Sequence, residues 1–343
     1  MEETIWILAA VIVVGLAFDF VNGFHDAANA IAAVISTRAL SPRAAITMAI
    51  IANFCGALLF TGVAKTITSG IVEGDALSRQ SLILAALMGA MIWNILTWYW
   101  GLPSSSSHAL VGGLVGVALA RVGIDGVQWW GVVDRVVIPG IVSPLLGLFT
   151  GYAIMLSLYW ILRHQSPYIG HKFKIGQWFT SALLAFSHGS NDAQKVMGII
   201  TLALFTASST NLIPADIQPD HEVRWFTKLA CATVIALGTS AGGWRIIKTI
   251  GSKVVRLDPI HGFAAEFTSS TILLTTAALG MPISTTHVIT ASIMGVGAVK
   301  RINAVRWSVA YDILGAWVFT LPASATISAI CYYVVRCFDA GLR

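Results

Sequence analysis

Two short polar motifs lie inside stretches that are otherwise apolar, FVNGFHDAANA at 20–30 and FSHGSNDAQKV at 186–196. On a helix, residues spaced i, i+4 and i+7 share one face. Glycines at the matching positions 23 and 189 predict that each helix is interrupted there. Two carboxylates on such faces indicate a binding pathway, and the alternative is a pair of structural polar contacts between helices. The residues on the two faces are Asn22, Asp26 and Asn29, and His188, Asp192 and Lys195.

A second pair of motifs joins a helix break to a run of hydroxyls, GLPSSSSH at 101–108 and GMPISTTH at 280–287. Glycine and proline end the incoming helix. Free backbone N–H groups and the positive end of the helix dipole then favour an anion at the start of the next helix. Simple N-capping would need one hydroxyl in each motif rather than three or four. The hydroxyls are those of Ser104, Ser105, Ser106, Ser107, Ser284, Thr285 and Thr286.

An anion beside two carboxylates creates a conflict, because like charges repel strongly in a medium of low dielectric. Either a cation lies between them, or the anion brings a proton and donates a hydrogen bond to a carboxylate. Both solutions predict cation-coupled uptake of a protonatable oxyanion, and phosphate fits better than sulfate, which has no proton to give at neutral pH. The predicted anion ligands are the seven hydroxyls, Asn29 and Lys195, and the predicted ligands of the coupling cation or proton are Asp26, Asp192, Asn22, Asn191 and Asp19.

Other titratable residues have two interpretations each. Asp19, whose counterpart in the second motif is Ala185, is either an asymmetric proton site or an acid beside a water-filled vestibule. His108 and His287 follow the hydroxyl runs and are expected to brace the tips. Histidine, aspartate and glutamate are too scattered along the sequence to predict a metal cluster. No nucleotide-binding loop or GxSxG motif predicts an enzyme, and we expect no cofactor besides the coupling ion, H⁺ or Na⁺.

The elements that carry these motifs are predicted to cross a membrane. Of the 343 residues, 56% are apolar and 11% charged, with mean hydropathy +0.78, whereas soluble domains carry roughly 25% charged residues. Lipid is therefore the expected solvent, and the net charge of +5 forms no basic block that would bind nucleic acid. The predicted helical segments are 43–66, 130–163, 225–248 and 307–336, together with 4–36, 80–120, 178–207 and 262–298, which are interrupted.

The sequence also repeats itself. The first polar motif recurs at an offset of 166, VAKTI (63–67) as IIKTI (246–250) at 183, and GLPSSSSH as GMPISTTH at 179, while 130–144 matches 307–322. Four landmarks in one order predict a duplication. The predicted units are a first inverted repeat at 1–163, a short cytoplasmic linker at 164–177 and a second inverted repeat at 178–343.

Charge predicts the orientation. If 80–120 and 262–298 are re-entrant hairpins, each half crosses the membrane three times, so the second half is inverted. With both termini outside, the inner connections 37–43, 163–177, 245–258 and 299–306 carry twelve basic residues and, of the acids, Asp258. This is the positive-inside bias. We expect an all-α polytopic protein of the plasma (inner) membrane, with broken helices and re-entrant hairpins that meet at a midplane site.

The motifs NGFHDAANA, HGSNDAQK, GLPSSSSH and GMPISTTH resemble those of the inorganic phosphate transporter family called PiT, over nearly the whole chain. The resemblance implies a phosphate symporter in which Asp26, Asn29, Asp192 and the hydroxyl runs line the phosphate and cation sites. Lys195 in place of an asparagine resembles bacterial members, and His25 before Asp26 resembles the proton-coupled ones among them. Asn53 stands where animal sodium-coupled members have glutamate. The resemblance thus favours H⁺ over Na⁺, with phosphate carried alone or as a metal–phosphate complex.

Two other functions stay open at this point. A sulfate permease of the same fold would use the same motifs. An intramembrane hydrolase would use a serine with His108 or His287, but it needs one asymmetric nucleophile, which the doubling of every motif argues against. The expected partners are phosphate, the coupling cation and the lipid bilayer, and a homo-oligomer is compatible with the sequence.

Overall fold

The computed structural model describes residues 2–68, 79–166, 168–214, 216–218 and 220–338, and the regular elements within those ranges are helices. Two of these elements are π-helical turns, Val133–Val137 and Thr249–Val254. The helices are α1 (Glu2–Ser36), α2 (Pro42–Leu59), α3 (Gly62–Thr68), α4 (Gln80–Trp100), α5 (Ser106–Arg121), α6 (Trp129–Val132), α7 (Ile138–Leu162), α8 (Ile169–Ser209), α9 (Trp225–Ala241), α10 (Trp244–Lys248), α11 (Pro259–Ala278), α12 (Thr285–Lys300) and α13 (Trp307–Phe338).

The length and the apolar composition of these helices are suited to a lipid bilayer. Five of the described helical spans are long and apolar enough to cross a membrane, and the bent pair α9 and α10 would make a sixth. Trp130 is 77% exposed and Phe149 is 66% exposed, although a soluble protein would bury such side chains. The all-α polytopic fold predicted from the sequence is confirmed.

Breaks occur at the two hairpins, as predicted. α4 ends at Trp100 and α5 begins at Ser106, while α11 ends at Ala278 and α12 begins at Thr285. The prediction was wrong for the two long polar-motif segments, because α1 and α8 run through Gly23 and Gly189 as continuous helices. α8 also begins at Ile169, so the second part of the predicted linker is helical.

Close helix packing explains these two glycines. A Cβ added at Gly23 would lie 2.4 Å from the carbonyl oxygen of Ile235 in α9. A Cβ added at Gly189 would lie 2.2 Å from the carbonyl oxygen of Asn53 in α2. Both distances are shorter than any van der Waals contact, so a side chain would force the helices apart. The glycines therefore allow close approach of backbones, which is their common role between membrane helices.

Contacts between the halves are reciprocal. A Cβ at Gly238 in α9 would lie 2.2 Å from the carbonyl oxygen of Phe20 in α1, and a Cβ at Gly56 in α2 would lie 2.0 Å from that of Phe186 in α8. Phe20 and Phe186 are separated by the offset of 166 that relates the two polar motifs. α1 thus packs on α9 as α8 packs on α2. The repeat boundaries and the inversion of the second half stay predictions, which this reciprocity supports.

Each hairpin packs against the last long helix of the other half. A Cβ at Gly116 in α5 would lie 2.0 Å from the carbonyl oxygen of Ala325 in α13. A Cβ at Gly295 in α12 would lie 2.0 Å from that of Leu148 in α7. The hairpin tips are therefore held between the halves, next to the polar faces of α1 and α8.

Candidate functional site

The two hairpin tips have the same local structure. Gly101 and Gly280, at φ +69° and +68°, end the incoming helices in a left-handed conformation that favours glycine. Proline follows two residues later in each case. The hydroxyl of Ser105 accepts from the backbone N–H of His108 at 3.2 Å, and that of Ser284 accepts from the N–H of His287 at 3.3 Å. Ser105 and Ser284 are thus N-caps, and the hydroxyls that follow them are aimed at the interior.

Asp26 is the first point at which the hydroxyls converge. Its side chain is 1% exposed. The hydroxyl of Ser106 donates to Oδ2 at 2.8 Å, and that of Thr286 donates to Oδ1 at 2.9 Å. Oδ1 also lies 2.8 Å from Nδ1 of His25 and 3.3 Å from the amide nitrogen of Asn29, which donates to Thr286 at 2.8 Å. Both hairpins therefore donate to one buried carboxylate.

Asp192 is the second point, and it is fully buried. The hydroxyl of Thr285 donates to its Oδ2 at 2.8 Å, and Nε2 of His188 lies 2.9 Å from the same oxygen. The ammonium of Lys195, 1% exposed, forms an ion pair with Oδ1. Thr285 is the counterpart of Ser106, and Lys195 is the counterpart of Asn29. The second half thus repeats the first, with a fixed positive charge in place of an amide.

The carboxylates of Asp26 and Asp192 lie close to each other in the fold. Ligand atoms of Asp26, His188 and Asp192 all lie within 4.8 Å of one another. These residue types are scattered along the sequence, but the fold brings residue 26 next to residues 188 and 192, so the prediction of no metal cluster stays a prediction. The sequence contained the relevant signal in the duplicated motif, since equivalent residues of two facing repeats meet near their symmetry axis.

The hydroxyl of Ser104 is connected to the site through a second hydroxyl. It lies 2.8 Å from the hydroxyl of Thr97, which in turn lies 3.2 Å from Nε2 of His25. Thr97, which the sequence analysis missed, therefore links the first hairpin to Asp26. Ser107 donates to the backbone carbonyl of Ile283 at 3.4 Å and does not contact either carboxylate.

Four predicted polar residues, Asn22, Asp19, Asn191 and, at its oxygen, Asn29, are buried with incomplete hydrogen bonding among the described residues. Neither the oxygen nor the nitrogen of Asn22 has a partner, and neither carboxylate oxygen of Asp19 has an amide or hydroxyl donor. Asn191 donates to the carbonyl of Leu273 at 3.0 Å, while its oxygen has no partner. An unpaired buried polar group costs roughly 1–3 kcal/mol. Asn22 thus has a donor and an acceptor that no described residue engages, whereas Asp19 lies beside the thiol of Cys231.

Space at the site is small in this conformation. A cavity of about 20 Å³ lies between the tips, lined by Ser107, His108, Arg135, Lys195 and Ser284. That volume holds roughly one water molecule, whereas a phosphate has five heavy atoms. An oxyanion of that size would fit between the tips only if they separated. His108 and His287 brace them, with ring centroids 4.8 Å apart.

The chain matches the sequence model described as the phosphate transporter family over residues 22–172 and 163–328. It is 44% identical over 341 residues to the "probable low-affinity inorganic phosphate transporter" of Bacillus subtilis, covering 98% of this chain and 99% of that one. A protein of the same name from Rhizobium meliloti is 44% identical, covering 95% and 96%. The solved structure titled "The sodium-dependent phosphate transporter" superimposes with a TM-score of 0.85 at 27% identity, covering 97% of this chain and 100% of that one.

These matches confirm the resemblance seen in the motifs, and they exclude the intramembrane hydrolase, because the relatives are transporters. The chain is a multi-pass membrane protein that transports rather than catalyses, and it belongs to the phosphate transporter family.

Proposed function

We propose that the protein takes up inorganic phosphate by symport with a cation, and that the cation is H⁺ rather than Na⁺. The observation that carries the proposal is the sharing of hydrogen-bond donors at Asp26, where hydroxyls from both hairpins donate to one carboxylate. Phosphate needs those same donors when it binds. The carboxylates then lose them and need positive charge in exchange, which is how anion and cation uptake become linked.

Buried carboxylates make this exchange obligatory. A carboxylate out of water is stabilised by the hydrogen bonds it accepts. When Ser106 and Thr286 turn toward phosphate, Asp26 keeps only His25 and Asn29, at 2.8 and 3.3 Å. Protonation of Asp26 restores the balance and also supplies a donor to a phosphate oxygen. The proposed roles are therefore phosphate binding by the hydroxyls and proton coupling by the aspartates.

Lys195 favours a proton as the single coupling ion. Its ammonium occupies Oδ1 of Asp192, the position at which a second mobile cation would bind. Of the two facing carboxylates, Asp26 is then the one without a permanently charged partner among the described residues. The relative of known structure is named as sodium-dependent, so Na⁺ at Asp26 is the alternative outcome of the test.

A divalent ion carried in with phosphate is a second form of the cargo. Carboxylate oxygens and an imidazole nitrogen are metal ligands, and those of Asp26, His188 and Asp192 lie within 4.8 Å of one another. In a neutral metal–phosphate complex, the metal ion would bring its two positive charges to the place where two carboxylates face each other. Uptake of ⁴⁵Ca²⁺ in step with phosphate would support this form, and phosphate uptake unchanged by a chelator would exclude it.

Radiolabelled phosphate uptake into proteoliposomes tests the main proposal. We expect uptake when sodium is replaced by choline at fixed pH, and stimulation by an inward proton gradient alone. If uptake stops without sodium, the coupling ion is Na⁺ and not H⁺. If sulfate competes equally with phosphate, the protein is not specific for phosphate. The variant Asp125→Asn, which removes an exposed carboxylate, is the control for replacing Asp26 or Asp192 by asparagine.

We propose location in the plasma membrane with both termini outside. The support is the positive-inside pattern, since basic residues such as Arg38, Arg43 and Lys172 lie in the connections assigned to the cytoplasm. After replacement of the four native cysteines, Ser209→Cys is expected to react with an impermeant reagent on intact cells. His164→Cys is expected to react only after permeabilisation, and the reverse pattern would invert the topology.

A further inference from the structure

Arg135 occupies a position that the second half of the protein lacks. The indole of Trp129 donates to the carbonyl of Ile124 at 3.0 Å, and the indole of Trp307 donates to that of Ile302 at 3.0 Å. These equivalent contacts set an offset of 178 at the start of the two helices. Further along, the reciprocal contacts of Leu148 and Ala325 set an offset of 177. The first half therefore contains one extra residue between these points.

The π-helical turn accounts for that extra residue. Val133–Val137 is π-helical, whereas the equivalent part of α13 is regular α-helix. With the offset of 178, Asp134 matches Asp312, and both are exposed; with the offset of 177, Val136 matches Ile313, and both are buried. Arg135 falls between them without a counterpart. Single-turn π-helical bulges occur frequently at functional sites.

The bulge directs Arg135 toward the candidate site. The arginine is half-buried and lines the small cavity together with Ser107, Lys195 and Ser284. One guanidinium nitrogen lies 3.4 Å from the carbonyl of Thr66, whose hydroxyl donates at 2.8 Å to the carbonyl of Gly280 in the second hairpin. In the described part of the chain, no carboxylate forms an ion pair with this guanidinium.

Beside the first hairpin tip, the described lining of a second cavity includes no cation. This cavity of about 380 Å³ reaches Thr97, next to Ser104, and is lined by Trp93, Asp312 and Ala316. Asp312 is the charged residue of that lining, and its counterpart in the first half is the exposed Asp134, next to Arg135. The insertion therefore adds a positive charge to the first half beside an acid that both halves share.

We propose that Arg135 is an anion-capture residue, which binds the incoming phosphate at the mouth of one approach and passes it to Ser107 and Lys195. The proposal rests on phosphate being the cargo. A guanidinium suits this role because its planar donors match two phosphate oxygens at once. The one-residue insertion thereby gives one half of a duplicated protein a cation that has no counterpart in the other half.

Uptake kinetics of Arg135→Gln and Arg135→Lys in oriented proteoliposomes test the proposal. We expect Arg135→Gln to raise KM for phosphate by about tenfold from one side, equivalent to about 1.4 kcal/mol, with maximal rate changed less than twofold. Wild-type KM should rise with ionic strength, and that dependence should be weaker in Arg135→Gln. A purely structural role for Arg135 would lower the maximal rate and leave the salt dependence unchanged. Arg306→Gln, which removes an exposed arginine at the start of α13, is the matched control and should behave as wild type.

Each result of these kinetic measurements either supports or contradicts the role proposed for Arg135. Wild-type KM and salt dependence in Arg135→Gln would overturn the proposal. If Arg135→Gln does not fold, Arg135→Lys keeps the charge but loses the two-pronged contact, and its KM should lie above that of wild type; an unchanged KM would refute capture by the guanidinium. Failure of the wild-type protein to transport phosphate in the same vesicles would refute the proposed function instead.

Discussion

The substitution Lys195→Asn removes the fixed positive charge at position 195 and leaves the other residues of the site unchanged. Lys195 and Asp192 form an ion pair with both side chains buried. Removing one member of a buried pair costs about 3–5 kcal/mol, because the other charge stays behind uncompensated. Thr285 and His188 still lie 2.8 and 2.9 Å from Asp192, so we expect the lower end, about 3 kcal/mol. Asparagine is the residue that the first half has at this position, as Asn29, so no steric conflict is expected.

Thermal unfolding in detergent measures this loss. For a large domain, 1 kcal/mol shifts the melting temperature by roughly 2 °C, so Lys195→Asn should lower Tm by about 6 °C. In proteoliposomes, Asp192 would then need a mobile cation of its own. The charge moved per phosphate should increase by one, which the reversal potential of phosphate flux reports directly. An unchanged reversal potential in a variant that still transports would refute the role of Lys195 as a built-in cation.

The double variant Asp192→Asn with Lys195→Asn is the control for this reasoning. Replacing both members of a buried pair leaves no uncompensated charge, so stability should return to within about 1 kcal/mol of wild type. The two single losses should therefore not add in the double variant. Additive losses would mean that the lysine and the aspartate are stabilised by other groups and that their ion pair contributes little.

Three further predictions follow from named contacts. Asp26→Asn and Asp192→Asn should each abolish coupled phosphate uptake in proteoliposomes while melting cooperatively; wild-type uptake by either would assign that carboxylate a structural role. Gly56→Ala should lower Tm, because its Cβ would lie 2.0 Å from a carbonyl oxygen of the neighbouring helix, whereas Gly315→Ala, with nothing within 4 Å, should not; equal effects would refute the close approach. Deletion of Arg135 should yield a folded protein with regular helix in place of the bulge, visible as near wild-type Tm with raised phosphate KM, and loss of folding would show that the bulge is required.

Local chemistry made the hairpin tips predictable from the sequence. A left-handed glycine, a proline two residues later and a capping serine act within one turn of the chain, so GLPSSSSH and GMPISTTH were sufficient to place both breaks. The cap also decides the direction of the neighbouring hydroxyls. Once Ser105 and Ser284 accept from the backbone, the next residues along must face inward.

Long-range contacts explain what the sequence could not predict. A glycine in a polar motif is consistent with a broken helix or with close packing, and only the position of the Asn53 and Ile235 carbonyls decides between them. The meeting of Asp26 with Asp192 likewise depends on how the halves face each other. Thr97 carries no motif, and its role arises from its position beneath Ser104.

The broken symmetry at Ser107 indicates which hairpin controls coupling. Its counterpart Thr286 donates to Asp26, whereas Ser107 donates to a backbone carbonyl and leaves Asp192 to Lys195. Among the described contacts, the second hairpin therefore supplies donors to both carboxylates, while the first supplies one to Asp26 alone. Displacing the second hairpin would remove one hydroxyl donor from each aspartate in one movement, leaving Asp26, among those contacts, with the hydroxyl of Ser106 alone. Displacing the first would leave Asp192 fully paired, so proton uptake should follow the movement of the second hairpin.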